Sequence, residues 1–245
     1  MTTPETSDER RTTASPTTPK GRRTWANILA AARRVVARDG YTSARMSDVA
    51  DEAGLSMGGL YRYFDNKTSL FEALVGDIHE ELYEASRPHG STFAEQPFAA
   101  LLESNVGYLR HYHENRDVMR AFIEAANTDL EFRELWWEMR RRHVARYAKV
   151  LAERHAMRDI DGVDVAIIAD AMACMVEQCA YVWYAHEAMP GPSVPVETAG
   201  WIVTRAWYRT FFAECSEGEL NPGEASAFLA ALPEPPAGEP GRDSG

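Results

Sequence analysis

The stretch MSDVADEAGLSMGGLYRYF, residues 46–64, contains the pattern that decides the fold. Ala50 is small at the point where two helices would cross closely, and Gly54 follows where a tight turn requires a positive φ. Ser56 is suited to cap a second helix through its hydroxyl group, and Leu60 supplies an inward apolar side chain. The stretch therefore predicts a helix-turn-helix.

Apolar residues recur at helical spacing on both sides of this stretch, and no segment alternates convincingly as a strand. Thr24 is a plausible N-cap for the first helix, and Asn66 is one for the long fourth helix. The sequence predicts helices at roughly 25–38, 47–53, 57–64, 67–84, 97–114, 117–127, 130–156, 163–187 and 195–215, with a short piece near 223–231. The predicted fold class is all-α, with an N-terminal three-helix helix-turn-helix domain and a larger C-terminal helical bundle.

The amino-acid composition of the two ends predicts the boundaries of four segments. Residues 1–22 are rich in Thr, Pro and Ser and are predicted to form a disordered arm. The helix-turn-helix domain is placed at 23–70 and the helical bundle at 71–215. Residues 216–245, which end in a Pro/Gly-rich segment, are predicted to form a loosely ordered tail.

Charge is distributed unevenly along the 245 residues, whose net charge is −11. Residues 20–70 carry nine Lys/Arg and five Asp/Glu, whereas residues 71–245 carry 15 and 29. A basic segment ahead of an acidic body indicates that the basic segment meets a polyanion. The signal is weak by itself, because such a local excess is common.

Three cysteines, an odd number without a Cys-x-x-Cys pair, exclude a disulfide scaffold and a zinc module, and favour a reducing cytosol. No cofactor is predicted. The apolar window Val165–Ala185 is long enough to span a bilayer, but it contains Asp170, Glu177 and Gln178. We therefore predict a buried helix in a cytoplasmic protein without a membrane partner.

The motifs of residues 24–75 closely resemble the TetR/AcrR family of bacterial transcriptional regulators. The resemblance rests on ValAla at 49–50, AlaGlyLeuSer at 53–56, GlyGlyLeuTyr at 58–61, TyrPhe at 63–64, and Lys67 with Leu70. It implies a regulator, more commonly a repressor, that binds a palindromic double-stranded DNA operator as a homodimer. It also implies that a small-molecule effector binds inside the helical bundle.

Candidate DNA contacts come from the motif and its flanks. Gly58 and Gly59 each cost about 1 kcal/mol in a helix interior, which indicates close approach either to DNA or to a neighbouring helix. Lys67 lies at the positive end of a helix dipole, where a phosphate would bind well, although a solvated lysine would also account for it. The predicted contacts are Arg22, Arg23, Arg45, Ser56, Met57, Gly59, Tyr61, Arg62, Tyr63 and Lys67.

Three more of these residues have alternatives. Tyr63 could instead pack in the small core, and the arm around Arg22 and Arg23 could be a flexible solubilising tail. Arg45 and Gly59 also depart from the residues usual in the family, which bears on the operator sequence rather than on DNA binding.

The resemblance places the dimer contact in the helices at about 163–187 and 195–215. Small residues there permit close helix approach, and aromatic residues supply contact area. These residues are Ala166, Ala169, Ala173 and Ala180, followed by Trp201, Trp207 and Phe211.

The same resemblance places the effector inside the bundle, where Met and flat aromatic residues suit an adaptable pocket, although they could equally be plain core. The predicted ligand contacts are Phe122, Trp136, Tyr147, Met172, Met175 and Cys179. Glu177 could meet a cationic or hydroxylated ligand, or lie on a polar strip with Asp170, Cys174 and Tyr181.

Other function classes have weaker support in the sequence. It contains no Gly-x-Ser-x-Gly, P-loop or dinucleotide fingerprint, so no enzyme is predicted. His111 and His113 cannot both face one metal on a helix. The run Arg140–Arg142 predicts a solvated face, or an anion site for a phosphate-bearing ligand such as an acyl-CoA. The alternatives left open are a DNA-binding architectural protein without a ligand and a helical enzyme that carries the motif by chance.

Overall fold

The computed structural model describes residues 16–89, 92–186 and 194–212. Within these ranges the chain is almost entirely helical, as predicted. The helices are α1 Pro19–Ser43, α2 Met46–Ala53, α3 Met57–Tyr61, α4 Lys67–Ala85, α5 Pro97–Glu114, α6 Arg116–Thr128, α7 Leu130–His155, α8 Val165–Ala180 and α9 Val196–Phe212, and the strands are β1 Asp159–Ile160 and β2 Val163–Asp164. The predicted piece near 223–231, the tail and Cys215 lie outside the described residues.

Helix α1 begins earlier than predicted. Pro19 occupies its first turn, and the Thr18 hydroxyl accepts a hydrogen bond from the Gly21 amide at 3.1 Å. Thr24 is therefore an interior residue rather than the N-cap, and the end of the predicted arm is helical from Pro19 onward. At Gly40 the backbone takes φ 73°, which interrupts the helix before its last residues.

The helix-turn-helix forms as predicted. Gly54 ends α2 in the left-handed region at φ 67°, and the Leu55 amide bonds to the Ala50 carbonyl at 2.9 Å. Ser56 caps α3 by accepting from the Gly59 amide at 3.1 Å. The prediction made α3 too long: the helix ends at Tyr61, and the following turn lets Phe64 pack fully buried against Trp25.

Helix α4 joins the two halves of the molecule. Its N-terminus is closed by a capping box in which Asn66 and Ser69 each bond the other's backbone amide. Along its length α4 packs against α1 on one side and against α5, α6 and α7 on the other. The head, defined as α1–α3, also rests on α6 through α1. Because α4 touches both halves, a shift of α4 would change the position of the head.

A short hairpin precedes α8 and was not predicted. The strands β1 and β2 pair antiparallel, with Ile160 opposite Val163. Asp161 and Gly162 between them both have positive φ, which is the geometry of a two-residue hairpin turn. The predicted start of the eighth helix at 163 is therefore wrong: Asp164 caps α8 by accepting from the Ala166 amide at 2.7 Å.

The apolar helix α8 continues into a π-helical turn at Tyr181–Ala185. Together these 21 residues are long and apolar enough to cross a membrane by length and composition alone. They are not the uniformly buried helix that was predicted, since only 22% of the apolar window is buried within the protomer. One face packs on the bundle, where Ala169 and Ala180 are fully buried, and another is exposed at Ile167 and Val182.

Candidate DNA interface and ligand cavity

The outer face of α3 presents large side chains to solvent. Met57 is 38% exposed and Tyr61 49% exposed, and Arg62 is exposed just beyond the end of the helix. The inner face contributes Leu60, which is fully buried under α1 and α2. The Ser56 hydroxyl is already engaged as the N-cap of α3. The exposed and buried sides of α3 therefore separate residues that reach outward from residues that hold the helix in place.

The two glycines of α3 differ in their surroundings. Gly58 is exposed, and a Cβ atom added there would meet no atom within 4 Å, so packing within the chain does not require a glycine. Gly59 lies on the buried side, where a Cβ atom would approach the Ser56 hydroxyl oxygen at 3.3 Å. The outward glycine is thus Gly58, whereas Gly59, which was chosen as a DNA contact, packs against the cap.

The cations of the head fall into two groups. Arg33, Arg34 and Arg38 form ion pairs with Glu81, Glu52 and Asp39, respectively. The predicted contacts Arg23, Arg45 and Arg62 are exposed and have no salt bridge or hydrogen-bond partner within the described ranges. Arg22, also exposed, donates to the Thr17 carbonyl at 2.5 Å. Apart from the exposed Lys20, the free positive charge of the head is thus carried by residues that were predicted as DNA contacts.

Lys67 has a structural role that the sequence did not suggest. Its ammonium group donates to the Tyr41 and Thr42 carbonyls, both at 3.0 Å, and lies 4.7 Å from the centroid of the Tyr41 ring. These bonds fasten the first turn of α4 to the end of α1. One N–H of the ammonium remains for another acceptor.

Tyr63 is partly buried and packs edge-on against Trp25, with ring centroids 6.5 Å apart. Tyr63 therefore packs at least partly in the small core, which was the alternative to a DNA contact. Tyr61, by contrast, projects from the outer face of α3.

The bundle contains a partly open cavity of about 550 Å³. Residues from all six body helices α4–α9 form its wall. Its aromatic, charged and sulfur-containing lining residues include His79, Tyr108, Tyr112, Phe122, Arg133, Trp136, Trp137, Arg140, His143, Tyr147, Cys174, Glu177, Tyr181 and Trp207.

Three predicted ligand residues, Phe122, Trp136 and Tyr147, lie in this wall. Met172, Met175 and Cys179 do not, because the face of α8 that meets the cavity is the neighbouring one. The Met172 sulfur instead contacts the hydroxyl of Thr210 on α9 at 3.6 Å. Burial raises the pKa of the Cys179 thiol. The methionine-rich face of α8 therefore does not line this cavity.

The cavity-facing side of α8 carries the predicted polar strip. Its polar residues lie there because they are partners of Arg140 on α7. Arg140 is 4% exposed rather than solvated, and it donates to Glu177 at 2.5 Å and to Asp170 at 2.8 Å. It also contacts the Cys174 sulfur at 2.8 Å. Burial raises the pKa of the Glu177 carboxyl, and the charge and hydrogen bond of Arg140 oppose that shift. The network therefore joins α7 to α8 through one buried cation.

Two histidines form the cavity wall near α4. The rings of His79 and His143 pack edge-on with centroids 4.8 Å apart. Burial lowers the pKa of His79 to about 3 and that of His143 to about 4, so both are neutral at pH 7. His143 lies at helical spacing from the predicted residues Trp136 and Tyr147 on α7, a signal that was not used.

The predicted dimer residues mostly face inward. Ala169, Ala180, Trp207 and Phe211 are buried within the protomer, and Ala173 lines the cavity. The exposed apolar residues of α8, its π-helical turn and α9, named here the outer apolar face, are Ile167, Val182, Trp201 and Ile202. Of the predicted set, Trp201 is 46% exposed and belongs to this face.

Within the described ranges no group of three or more His, Cys, Asp or Glu residues is placed to hold a metal ion. His111 bonds the Ile78 carbonyl oxygen at 3.0 Å instead.

Two family models match the chain. The model for bacterial regulatory proteins of the tetR family matches residues 28–74, and that for the C-terminal domain of the transcriptional regulator EthR matches residues 103–213. The chain is 24% identical to the HTH-type transcriptional regulator EthR of Mycolicibacterium smegmatis, over 84% of this chain and 99% of that protein. It is also 24% identical to the fatty acid metabolism regulator protein of Bacillus subtilis, over 66% of this chain and 84% of the relative.

Solved structures agree in fold. A TetR-family transcriptional regulator from Rhodococcus sp. superposes with a TM-score of 0.63 at 22% identity, covering 77% of this chain and 98% of that one. GusR of Salmonella enterica gives 0.63 at 19% identity, covering 82% of this chain and all of that one. With the helix-turn-helix and the helical body in place, these matches establish that the chain belongs to the TetR family of bacterial transcriptional regulators.

Proposed function

We propose that this regulator binds a palindromic operator as a homodimer, represses transcription in the cytoplasm, and is released by a small molecule that enters the cavity. The observation that carries the proposal is the coexistence of an outward, cationic α3 region with a cavity in the helical body, the two being joined through α4.

DNA contact is supported by the shape and charge of the α3 region. Five residues of helix span about 7.5 Å, which fits a major groove roughly 12 Å wide. Gly58 leaves room for the close approach of a DNA backbone or a base edge. Tyr61 offers a hydroxyl for a phosphate, and Arg62 and Arg45 offer free guanidinium groups for phosphates or bases. Arg22 and Arg23, on the first turns of α1, extend this surface.

Dimer formation is supported by the outer apolar face. One short recognition helix makes too few contacts for tight, specific binding, so two half-sites are needed. Ile167 is 64% exposed on α8 and Trp201 46% exposed on α9, two helices that contact each other, and large exposed apolar side chains favour an association surface. The proposed contact is the packing of this face on its copy.

The effector response is supported by a continuous row of aromatic contacts. Phe122 in the cavity wall lies 6.4 Å from Phe132, Phe132 lies 5.2 Å from Phe71 on α4, and Phe71 stacks on Tyr41 at 4.3 Å. Tyr41 belongs to the segment that Lys67 fastens to α4. A ligand that favours one arrangement of this row would tilt α4 and move the two heads out of half-site register.

The experiment is footprinting of the full-length protein on DNA flanking its own gene, followed by fluorescence anisotropy on the protected sequence. Two protected half-sites related by a two-fold axis, with one dimer per operator, support the proposal. Protection without symmetry, or a monomer bound per site, contradicts it. One matched relative is named for fatty acid metabolism, so fatty acids belong among the effectors tried.

A DNA-binding protein without an effector is the second candidate, and the open cavity argues against it, because an architectural role needs no such space. If no compound that binds the protein changes operator affinity, this second candidate is favoured.

A further inference from the structure

The cavity wall is unusually rich in rings. Eight of its lining residues are aromatic: Tyr108, Tyr112, Phe122, Trp136, Trp137, Tyr147, Tyr181 and Trp207. Aromatic side chains are flat and stiff, and they contact another ring best by offset stacking or edge-on packing. The wall is therefore better matched to a flat molecule than to a flexible chain.

The buried cation of the wall is already neutralised. Arg140 donates to both Glu177 and Asp170, and its remaining contacts are the Asp170 carbonyl at 2.9 Å and the Cys174 sulfur. An entering carboxylate or phosphate would have to displace one of these carboxylates or lie beside both. Either step is unfavourable in a buried site.

Arg133 is the other cation of the wall, and it lies at the exposed rim. Its Nε donates to the Ala126 carbonyl and its Nη2 to the Asn127 carbonyl, each at 3.1 Å, so it caps the end of α6. A charge exposed to solvent attracts an anion only weakly. Arg133 therefore does not make the interior favourable to anions.

The interior histidines carry no charge at neutral pH. Besides burial, Arg142 lowers the pKa of both His79 and His143, and Arg146 lowers that of His143, while Glu80 acts in the opposite direction on His143. Among the described residues, the cavity interior is thus aromatic, its two histidines are neutral, and its buried cation Arg140 is paired with carboxylates.

Three buried polar atoms of the wall residues lack a hydrogen-bond partner among the described residues. They are the Tyr112 hydroxyl, the His143 Nε2 and the Trp207 Nε1. Their residues are 2%, 8% and 3% exposed, respectively. Buried polar groups are nearly always paired in folded proteins, so three unpaired ones around one cavity indicate a missing partner.

We infer that the cavity takes an uncharged, flat aromatic compound bearing a hydroxyl or carbonyl group that pairs with Tyr112, His143 or Trp207. The inference rests on the proposed function in treating this cavity as the effector site. The ring of the compound would pack among the aromatic walls, and its polar group would satisfy the unpaired atoms.

Four probes distinguish a preference for an aromatic ring from a preference for an alkyl chain, and a neutral group from a negative charge. They are 2-naphthol, naphthalene-2-carboxylate, decan-1-ol and decanoate. Each is titrated into the full-length protein by isothermal titration calorimetry at pH 7. We expect 2-naphthol to bind at least tenfold more tightly than naphthalene-2-carboxylate, and more tightly than either chain compound. Decanoate binding as tightly as 2-naphthol, or the two naphthalene compounds binding equally, overturns the inference.

A second measurement tests the polar group. Tyr112→Phe, His143→Phe and Trp207→Phe each remove one of the unpaired polar groups and keep an aromatic ring, and at least one of them should weaken 2-naphthol binding three- to tenfold more than it weakens naphthalene binding. Tyr112→Phe should not lower Tm, because the hydroxyl it removes has no partner among the described residues. Tyr208→Phe, outside the cavity wall, is the matched control. Equal effects on both probes in all three variants overturn the assignment.

Operator affinity measured in the same samples keeps the two proposals apart. If 2-naphthol binds with this pattern while operator affinity is unchanged, the ligand class stands and the proposed release fails. If decanoate alone binds and releases the operator, the ligand class is wrong and the proposed release stands.

Discussion

The ring of Phe71 on α4 packs edge-on against the ring of Phe132 on α7, with centroids 5.2 Å apart and planes at 72°. Both rings are at most 2% exposed. Phe71 also stacks on Tyr41 at the end of α1, and Phe132 reaches Phe122 in the cavity wall. The cavity and the head are therefore linked through a buried apolar contact between Phe71 and Phe132.

Phe132→Ala should lower the free energy of unfolding by roughly 3–5 kcal/mol, because it removes a fully buried ring between two helices. Urea denaturation followed by circular dichroism measures this. The neighbouring Leu130 is 64% exposed, so Leu130→Ala serves as the control, with a change within about 0.5 kcal/mol. A loss below about 1 kcal/mol for Phe132→Ala would mean that the ring packs less well than described here.

Lys67→Ala should destabilise the protein by about 1–2 kcal/mol, because two charge-assisted hydrogen bonds to the end of α1 are lost at a partly exposed site. If the third N–H also meets a phosphate, the slope of log affinity against log salt falls by about one per protomer. Salt-dependent anisotropy on the operator measures the slope. An unchanged slope assigns Lys67 to structure alone.

Arg62→Ala should change the ranking of operator variants, because a free guanidinium next to α3 is placed for a base edge. Tyr61→Phe should weaken binding to all sequences alike, as expected for a phosphate contact. Competition binding with a randomised half-site library measures both effects. Arg87→Ala, an exposed arginine of the body paired with Glu84, is the control. An unchanged ranking would mean that Arg62 contacts the DNA backbone rather than a base. A loss confined to some sequences for Tyr61→Phe would mean that Tyr61 does not contact a phosphate.

His143→Gln should reduce the pH dependence of stability. The folded protein keeps His143 neutral, with a pKa of about 4 against 6.5 in the unfolded chain. Its contribution to stability is therefore complete above pH 6.5 and is lost as the pH falls toward 4. The difference in unfolding free energy between the two proteins should shift by up to about 2 kcal/mol from pH 7 to pH 5, in favour of the variant.

Urea titrations of both proteins at several pH values measure that difference, and contributions from other groups such as Glu177 largely cancel in it. A difference independent of pH would place the pKa of His143 near its ordinary value.

Ile167→Glu should convert the proposed dimer into monomers, because a carboxylate would be buried in the proposed contact. Sedimentation velocity measures the state at micromolar concentration. Leu130 on α7 is also 64% exposed, so Leu130→Glu is a matched control that should leave the dimer intact. Should Ile167→Glu remain dimeric, the outer apolar face is not the contact.

Local signals in the sequence were sufficient for the helix-turn-helix. Gly54, Ser56 and Asn66 act within a few residues of themselves, through a left-handed turn, an N-cap and a capping box. Their chemistry needs no knowledge of distant elements. The same holds for the alternation of helices and breaks along the body, which follows from the spacing of apolar residues.

The ligand cavity could be predicted only in part. Phe122, Trp136 and Tyr147 were found because large aromatic residues are common in such walls. The side of α8 that lines the cavity was missed, because both of its candidate faces are apolar enough to be buried. Tyr108 and Tyr112, spaced by four residues on α5, offered a periodic signal that was not used.

The sequence by itself determined the helical class, the helix-turn-helix and the cationic residues at the head, because caps, turns and periodicity operate between near neighbours in the chain. Only the tertiary structure decided that Arg140 is buried between two carboxylates, that Lys67 holds α1, and that α8 turns its polar strip toward the cavity. Each of these depends on how two distant helices are rotated against each other, and helical periodicity gives the faces of a helix but not the partner that each face meets.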